Sequence, residues 1–246
     1  MTAPTAMAVV IPAHDEEELI GACLDSIRAA VRDMRRTVGR AVSRVSVHAA
    51  LDACSDATAG IARAAGADVI VPATRGVGAA RAAGVAAALA AHEHTPLRRL
   101  WIAHTDADSV VPANWLTHQW ELASAGADVV LGTVRPDFRD LSAEQTTAWW
   151  ATHVPGTANG HVHGANLGTR ASTLVAAGGF EPVLEHEDVL LVAEARERGA
   201  LLVASDEAWV QTSGRSVGRT SGGYAGYLRE QLIPLALSRA AYAPTA

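Results

Sequence analysis

The sequence contains only two cysteines, Cys23 and Cys54, among 246 residues. With no CxxC pair and no Cys/His cluster at zinc-binding spacing, this excludes a disulfide framework and a cysteine-ligated zinc site. Aromatic residues are also scarce, at 4% of the chain, whereas 49% of the residues are hydrophobic. A large core built from alanine and aliphatic side chains is therefore expected, with close helix–sheet packing.

Basic residues are fewer than acidic ones, 20 against 26, which gives a formal net charge of −6. This disfavours nucleic acid as a partner, because such binding depends on neutralising phosphates, although a local basic pocket remains possible. No apolar run approaches the length of a membrane span, so stable membrane insertion is not expected. The opening MTAPTAMAVVIPAHDEEE lacks the features of a signal peptide. We therefore predict a cytoplasmic protein.

Short apolar runs alternate with amphipathic patterns through the first half of the chain. The predicted strands are residues 6–13, 44–53, 67–73, 99–106 and 127–136. The predicted helices are residues 16–36, which follow an apparent Asp15-x-x-Glu18 capping box, and residues 58–65, 76–92 and 112–125. This alternation predicts an α/β fold with a mostly parallel central sheet flanked by helices.

Beyond residue 137 the periodicity weakens. A helix at 172–177, a helical face beginning near Val189, and short strands at 201–205 and 208–213 are predicted. Because there is no internal repeat and no Pro/Gly-rich linker, residues 1–246 are predicted to form one domain with two functional halves.

Ligands of open parallel sheets bind at the carboxyl ends of the strands, so the residues that follow each strand are the first candidates. Asp106 and Asp108, in HTDADSVVP, could hold Mn²⁺ or Mg²⁺, which prefer oxygen ligands. Asp108 could equally cap the helix that follows, and the two interpretations carry the same weight. Asp52 ends a strand and could accept a hydrogen bond from a base or ribose, whereas Asp56 is better explained as a helix N-cap.

Other polar residues are candidates with structural alternatives. Arg81, in RGVGAARAAG, could meet a phosphate or a base. Glu187 and Asp188 could supply a general base, or could simply place favourable charge at a helix N-terminus. Arg215 and Arg219 flank a glycine-rich segment and could close over a diphosphate or an anionic acceptor, or lie exposed.

The histidines and tryptophans of the second half are ambiguous. His161 and His163 could ligate a metal, bind an acceptor or be structural. The pair Trp149-Trp150 is more typical of core than of a platform for a sugar.

Five segments, in order, resemble the inverting, family-two glycosyltransferases of the GT-A fold. They are VVIPAHDEEELIGACLDSI, LDACSDATAGIA, RGVGAARAAGV, HTDADSVVPANWL and HGANLGTRASTLVAAGGFEPVLEHEDVLL, spanning residues 7 to 198. The resemblance implies that residues 6–136 form a nucleotide-sugar-binding half, and that residues 137–246 form an acceptor-binding half and tail.

The resemblance also implies roles for individual residues. It implies that the following residues contact the nucleotide sugar: Pro12, Ala13, Glu16, Asp52, Arg81 and Asp106. It implies that Asp108 binds the metal directly and that Asp106 contacts the ribose or a water bound to the metal. Asp188 would be the general base, and Glu187 would orient it or hold an acceptor hydroxyl. His163, Arg215 and Arg219 would lie near the acceptor or diphosphate.

Two departures from the family pattern bear on function. Leu51-Asp52 stands where a double Asp is common, and His14 stands where a small or polar residue is usual. No QxxRW-type motif is present, which disfavours a processive synthase. The expected reaction is metal-dependent transfer of a sugar from a nucleoside-diphosphate sugar donor to a hydroxyl of a small soluble acceptor. The alternatives are a nucleotidyltransferase and a non-catalytic sugar-nucleotide-binding protein.

Overall fold

The structure is a computed structural model that describes residues 2–73, 75–219 and 222–241. The strands are β1 Ala6–Ala13, β2 Arg44–Leu51, β3 Asp68–Ile70, β4 Leu100–His104, β5 Ser109–Val110, β6 Val129–Pro136, β7 Leu167–Arg170 and β8 Leu202–Thr212. The helices are α1 Ile20–Thr37, α2 Thr58–Ala64, α3 Val77–Ala91, α4 Trp115–Ala125, α5 Ala143–Thr152, α6 Ala171–Ala176, α7 Glu187–Glu197, α8 Tyr224–Gly226 and α9 Leu232–Ala241. A π-helical turn, Tyr227–Gln231, joins α8 to α9.

The eight strands form one sheet in the order β3-β2-β1-β4-β7-β6-β8-β5. Strands β3, β2, β1 and β4 are mutually parallel, as is the β6–β8 pair, whereas β7 and β5 are antiparallel to their neighbours. The chain first moves outward from β1 to β3 and then returns to place β4 on the other side of β1. This reversal creates a crevice at the carboxyl ends of β1 and β4, where open α/β sheets bind ligands.

Strand β1 is buried along its whole length because helices cover both faces of the sheet. Met7, Val9 and Ile11 pack on one face with α1 and α4, whereas Ala8 and Val10 pack on the other with α3 and α6. A smaller cluster joins α5 to the C-terminal helices through residues including Trp149, Leu228 and Leu232. The second half of the chain therefore has an apolar layer of its own beside the main core.

The predicted α/β architecture is confirmed, but several predicted boundaries are wrong. Helix α1 begins at Ile20, and no capping box precedes it, because Asp15 adopts a positive φ of 49° inside a turn. Residues 201–205 and 208–213 belong to one continuous strand, β8. Strands β5 and β7 and helix α5 were not predicted.

Helix α9 extends as far as Ala241, and residues 242–246 lie outside the described residues. Within the described ranges, no helix combines the length and apolarity needed to cross a membrane.

Candidate active site

The turn after β1 is built against the turn after β2. Backbone N–H groups and carboxylates bond across the two turns: Ser55 N–H donates to Asp15 Oδ1 (2.7 Å), Glu17 N–H to Asp56 Oδ2 (2.9 Å) and Ala57 N–H to Glu17 Oε2 (2.9 Å). Asp15 and Glu17 therefore have a structural role, because their hydrogen bonds hold the turn after β1 against the turn after β2. Asp56 also accepts from Thr58 N–H, in agreement with its predicted role at the start of α2, although Ala57 occupies the formal N-cap position.

Asp52 lies at the same edge, directly after β2. Its N–H donates to Ala13 O at 2.7 Å, and its Oδ2 accepts from Gly76 N–H at 3.1 Å. Pro12 and Ala13 are buried at the end of β1, beside Ala50 and Leu51 of β2. The structure therefore brings these three predicted nucleotide-contacting residues together.

Asp108 sits at the carboxyl end of β4 in a largely enclosed position. Its Oδ1 accepts from Thr212 Oγ1 at 3.3 Å, and its Oδ2 lies 2.9 Å from Arg215 Nη2. Burial, and then the neighbouring Asp106 carboxylate, raise the pKa of Asp108 to about 6, although Arg215 opposes this change. The predicted helix-capping role is not observed, since Asn114 is the N-cap of α4 and makes no side-chain cap bond.

Arg215 and Arg219 are brought to the same place by the segment that follows β8. Arg215 forms a two-pronged pair with Glu16, with Nη2–Oε1 at 2.8 Å and Nη1–Oε2 at 3.0 Å. Arg219 Nε lies 3.3 Å from Glu16 Oε1, and its Nη2 donates to Asp15 O. These arginines are therefore not simply exposed: the segment after β8 supplies positive charge to the carboxylates of Glu16 and Asp108.

Arg81 joins the two acidic groups of the site. It lies on α3 with 2% exposure, donating from Nη2 to Asp106 Oδ1 (2.6 Å) and from Nε to Glu187 Oε1 (2.8 Å). Burial alone would lower the pKa of Arg81, but the nearby carboxylates of Asp106, Glu187 and Asp188 outweigh it and raise that pKa. A Cβ added to Gly164 would lie 2.2 Å from Arg81 Nη2, so glycine is required beside this guanidinium.

Glu187 and Asp188 begin α7, but their surroundings differ. Glu187 is 4% exposed, and burial raises its pKa against the attraction of Arg81. Asp188 is half-buried, and its Oδ2 accepts from Gly164 N–H at 2.5 Å while its Oδ1 accepts from its neighbour Val189 N–H. Both side chains occupy the first turn of a helix, where negative charge is favourable. A role as general base stays a prediction.

The two histidines of HVHGANLG do not lie on a strand. Their ring centroids are 6.0 Å apart, and His163 stacks edge-on against Tyr224 at 5.9 Å. Burial lowers the pKa of His163 to about 4, and charge repulsion from His161 and His153 lowers it in the same direction. The His163 imidazole is therefore neutral at pH 7.

Several residues of the site were not predicted from sequence. Thr212 supports Asp108 from β8. Asn166 ties three elements together, accepting from Trp115 Nε1 at 2.9 Å and donating to Thr133 O and Ala208 O at 3.0 Å each. The glycine-flanked polar run GHVHGANLG was the available signal for Asn166. Nothing local distinguished Thr212, since its partner is 104 residues away.

The oxygen set of Asp106 and Asp108 suits a hard divalent cation, because such ions accept carboxylates together with waters and phosphate oxygens. The buried Asp108 carboxylate already requires a cationic partner, and Arg215 provides it here. Among the described residues, the one convergent trio of potential ligands is instead Asp15, Cys54 and Asp56, at the first turn pair. The DxD pair therefore fits a metal that draws its remaining ligands from water and substrate.

The chain resembles many solved structures, of which three illustrate the likeness. Staphylococcus aureus TarS 1–349 superposes with a TM-score of 0.59 at 15% identity, covering 94% of this chain and 65% of that one. The same fragment in complex with UDP-GlcNAc gives a TM-score of 0.62 at 15% identity, with 98% and 68% covered. Glucosyl-3-phosphoglycerate synthase from Mycobacterium tuberculosis, in complex with Mn²⁺, UDP and glucosyl-3-phosphoglycerate, gives 0.56 at 19% identity, with 96% and 80% covered.

At these identities the likeness establishes the shared fold, and the chain spans just under two thirds of the first TarS structure. No curated protein sequence matched the chain. The sequence model for Glycosyl transferase family 2 matches residues 8–175, which include every predicted donor-side residue except Arg215 and Arg219 and end before α7. Because this match covers well over half of the chain and the fold agrees with it, the chain belongs to Glycosyl transferase family 2.

Proposed function

We propose that the chain transfers a sugar from a nucleoside-diphosphate sugar to a hydroxyl of a small acceptor, by a single displacement that inverts the anomeric carbon. One observation carries this proposal. The Arg81 guanidinium contacts both Asp106, on the donor side, and Glu187, beside the candidate base. The two carboxylates are therefore bridged by a single guanidinium. This proximity would allow a donor beside Asp106 and an acceptor beside Glu187 to lie next to each other, as direct transfer requires.

The donor would lie across the carboxyl ends of β1, β2 and β4. Asp52, with Pro12 and Ala13, would border the nucleoside, and Asp106 would border the ribose. UDP ligands in the similar TarS and synthase structures make uridine nucleotides the first to test. The domain would then divide into a donor half at about 6–136 and an acceptor half at 137–246.

Asp108, with Asp106, would hold Mn²⁺ or Mg²⁺, and the Mn²⁺ of the similar synthase complex supports this assignment. When bound, the cation would neutralise charge on the diphosphate as it leaves. The guanidinium groups of Arg215 and Arg219, on the segment after β8, would add hydrogen-bond donors for the same oxygens.

Asp188 is the proposed general base. The acceptor oxygen attacks the anomeric carbon, its proton moves to Asp188, and the bond to the diphosphate breaks with its electron pair leaving on the diphosphate. Gly164 N–H fixes one carboxylate oxygen of Asp188. Glu187, held by Arg81, would orient the acceptor or the base, and His163, neutral at pH 7, would border the acceptor.

The deciding variant is Asp188→Asn, with Asp25→Asn, an exposed residue of α1, as the matched control. General base catalysis contributes about 10²–10⁴-fold, so Asp188→Asn should lose turnover on that scale while UDP still raises its melting temperature. Asp25→Asn should retain the turnover of the wild type. Near-normal turnover in Asp188→Asn would contradict the base assignment.

The donor site has its own test, a thermal-shift panel of nucleoside diphosphates with and without Mn²⁺. A Mn²⁺-dependent rise that disappears in Asp108→Asn is the expected result. Product analysis separates the alternatives: release of nucleoside diphosphate supports transfer, whereas release of pyrophosphate would indicate a nucleotidyltransferase. Nucleotide binding with neither product would favour a binding protein.

A further inference from the structure

A cavity of about 230 Å³ lies in the second half of the chain, beside the crevice. It is bounded by β6, α5, the segment 153–161 and β8. Its lining residues include Thr133, Arg135, Trp149, Trp150, His161 and Asp206. Clefts for drug-sized ligands measure about 300–1,000 Å³, so this volume fits a single small ring.

Two buried polar groups of this lining have no hydrogen-bond partner. Thr133 is 4% exposed, and its Oγ1 is unpartnered, as is Nε of Arg135. Both residues line the cavity from β6, although the pairing of β6 with β8 is irregular between Gly132 and Val134. A buried polar group without a partner is unfavourable, and a hydroxylated ligand would relieve that cost by bonding to both groups.

The remaining wall is aromatic. Trp149 is 1% exposed and stacks on His153 with ring centroids 4.0 Å apart, whereas Trp150 is 44% exposed and stacks on Phe138 at 5.2 Å. Flat apolar faces beside hydrogen-bonding groups suit a molecule with both C–H faces and hydroxyls. Sugars and cyclic polyols have this character.

The charges of the lining disfavour an anion. Arg135 Nη2 lies 2.7 Å from Asp206 Oδ2, and the Arg135 guanidinium lies 4.4 Å from the centre of the Trp209 ring. Asp206 also accepts from Gly156 N–H at 2.7 Å. The one arginine is thus neutralised by the one carboxylate, which leaves no guanidinium or ammonium group to bind a phosphate.

The cavity is joined to the candidate base by the segment 161–166. His161 lines the cavity, Gly164 donates to Asp188, and Asn166 donates to the backbone of Thr133. We propose that this cavity is an acceptor subsite for a neutral, hydroxylated ring such as a sugar or cyclic polyol, rather than a phosphorylated acid. This inference rests on the proposed glycosyl transfer.

The test uses the full chain and two sets of probes, with UDP and Mn²⁺ present. Methyl glycosides and myo-inositol are the neutral probes, and 3-phosphoglycerate and glucose 6-phosphate are the anionic probes. Binding is followed by melting temperature and by intrinsic tryptophan fluorescence, to which Trp149 and Trp150 contribute. At least one neutral probe should bind, and neither anionic probe should bind more tightly.

Thr133→Val keeps the shape of the side chain but removes its hydroxyl. It should weaken binding of the neutral probe about threefold to tenfold, as expected for one hydrogen bond, while Thr133→Ser should bind nearly as the wild type does. Thr117→Val, on α4, is the matched control for a buried threonine and should leave binding unchanged.

The outcomes separate the two proposals. A nucleotide response with no response to any neutral probe, tighter binding of the anionic probes, or unchanged binding by Thr133→Val would each overturn the acceptor subsite alone. Absence of a nucleotide response in the wild type would contradict the proposed function instead.

Discussion

Replacement of Arg81 by methionine tests whether one guanidinium holds the two halves of the site together. The substitution keeps an unbranched apolar side chain but removes the guanidinium and its charge. It leaves Glu187 buried at 4% exposure without its partner, and removing one member of a buried ion pair costs about 3–5 kcal/mol. Asp106 is 36% exposed, so its lost pairing adds less than about 1 kcal/mol. The free energy of unfolding at pH 7.5 should therefore fall by about 4 kcal/mol.

The loss of unfolding free energy in Arg81→Met should depend on pH, and the pKa of Glu187 determines its direction. Burial raises the pKa of Glu187, and Arg81 opposes that change, so the variant raises it further. Between the unfolded value, about 4.3, and this raised value, the folded variant binds a proton that the unfolded chain has released. Its free energy of unfolding therefore falls as pH rises through that window. Urea denaturation should show a smaller loss at pH 5 than at pH 7.5.

Two further variants make the interpretation specific. Adding Glu187→Gln to Arg81→Met removes the unpaired charge and should recover most of the lost stability, in a double-mutant cycle. Arg198→Met breaks an exposed pair within α7 and should cost about 0.3–0.5 kcal/mol. A loss below about 1 kcal/mol in Arg81→Met, with no difference between the two pH values, would refute a buried bridge.

Two other predictions concern packing and acid stability. Gly164→Ala should lower both the melting temperature and turnover, because its Cβ would lie 2.2 Å from Arg81 Nη2; Gly60→Ala, exposed in α2 with no atom within 4 Å, should stabilise by about 0.5–1 kcal/mol. If both glycine variants melt alike, the close approach at Gly164 is wrong. Burial lowers the pKa of His92 to about 4, so the unfolded chain binds the extra proton and stability should fall as pH drops from about 6.5 to 4. His92→Gln should reduce the change in unfolding free energy across that pH range, measured by denaturant titration at several pH values. If the change is the same in the variant, His92 is not the cause of the loss of stability in acid.

The first half of the fold was predictable because burial on both faces makes its strands continuous apolar runs. The prediction for β1 matches its bounds, Ala6–Ala13. Strand β7, Leu167–Arg170, was missed because its Arg170 is buried by tertiary bonds, donating to carbonyls that include Ala123 O and Ala127 O. No local pattern marks a core arginine of this kind.

The start of α1 was mispredicted for a related reason. Asp15 and Glu18 look like a capping box in sequence, but the Asp15 carboxylate accepts from Ser55 N–H in the turn after β2, 40 positions along the chain. A local pattern competes here with tertiary pairing, and tertiary pairing prevails. Helix α5, Ala143–Thr152, has its capping box at Ser142 and Gln145, and this signal was present but not recognised.

Placing candidate residues at strand ends brought most of them together, because parallel strands end at one edge. The pairings within that edge were not predictable. Arg81 was expected near a phosphate or base, yet its bonds connect it to Asp106 and to Glu187, 106 positions away. The chemical roles of these residues remain predictions.

The two arginines that neutralise the site differ in how easily they can be displaced. Arg81 lies within a helix at 2% exposure with carboxylates on two of its nitrogens, so removing it would leave Glu187 buried and charged. Arg215 follows β8 on a segment without regular structure, and its side chain is 28% exposed. Glu16 would keep Arg219 if Arg215 moved, whereas Asp108 would require another cation. Asp108 can therefore exchange the Arg215 guanidinium for an incoming positive charge, but the Arg81 bridge between Asp106 and Glu187 must stay in place.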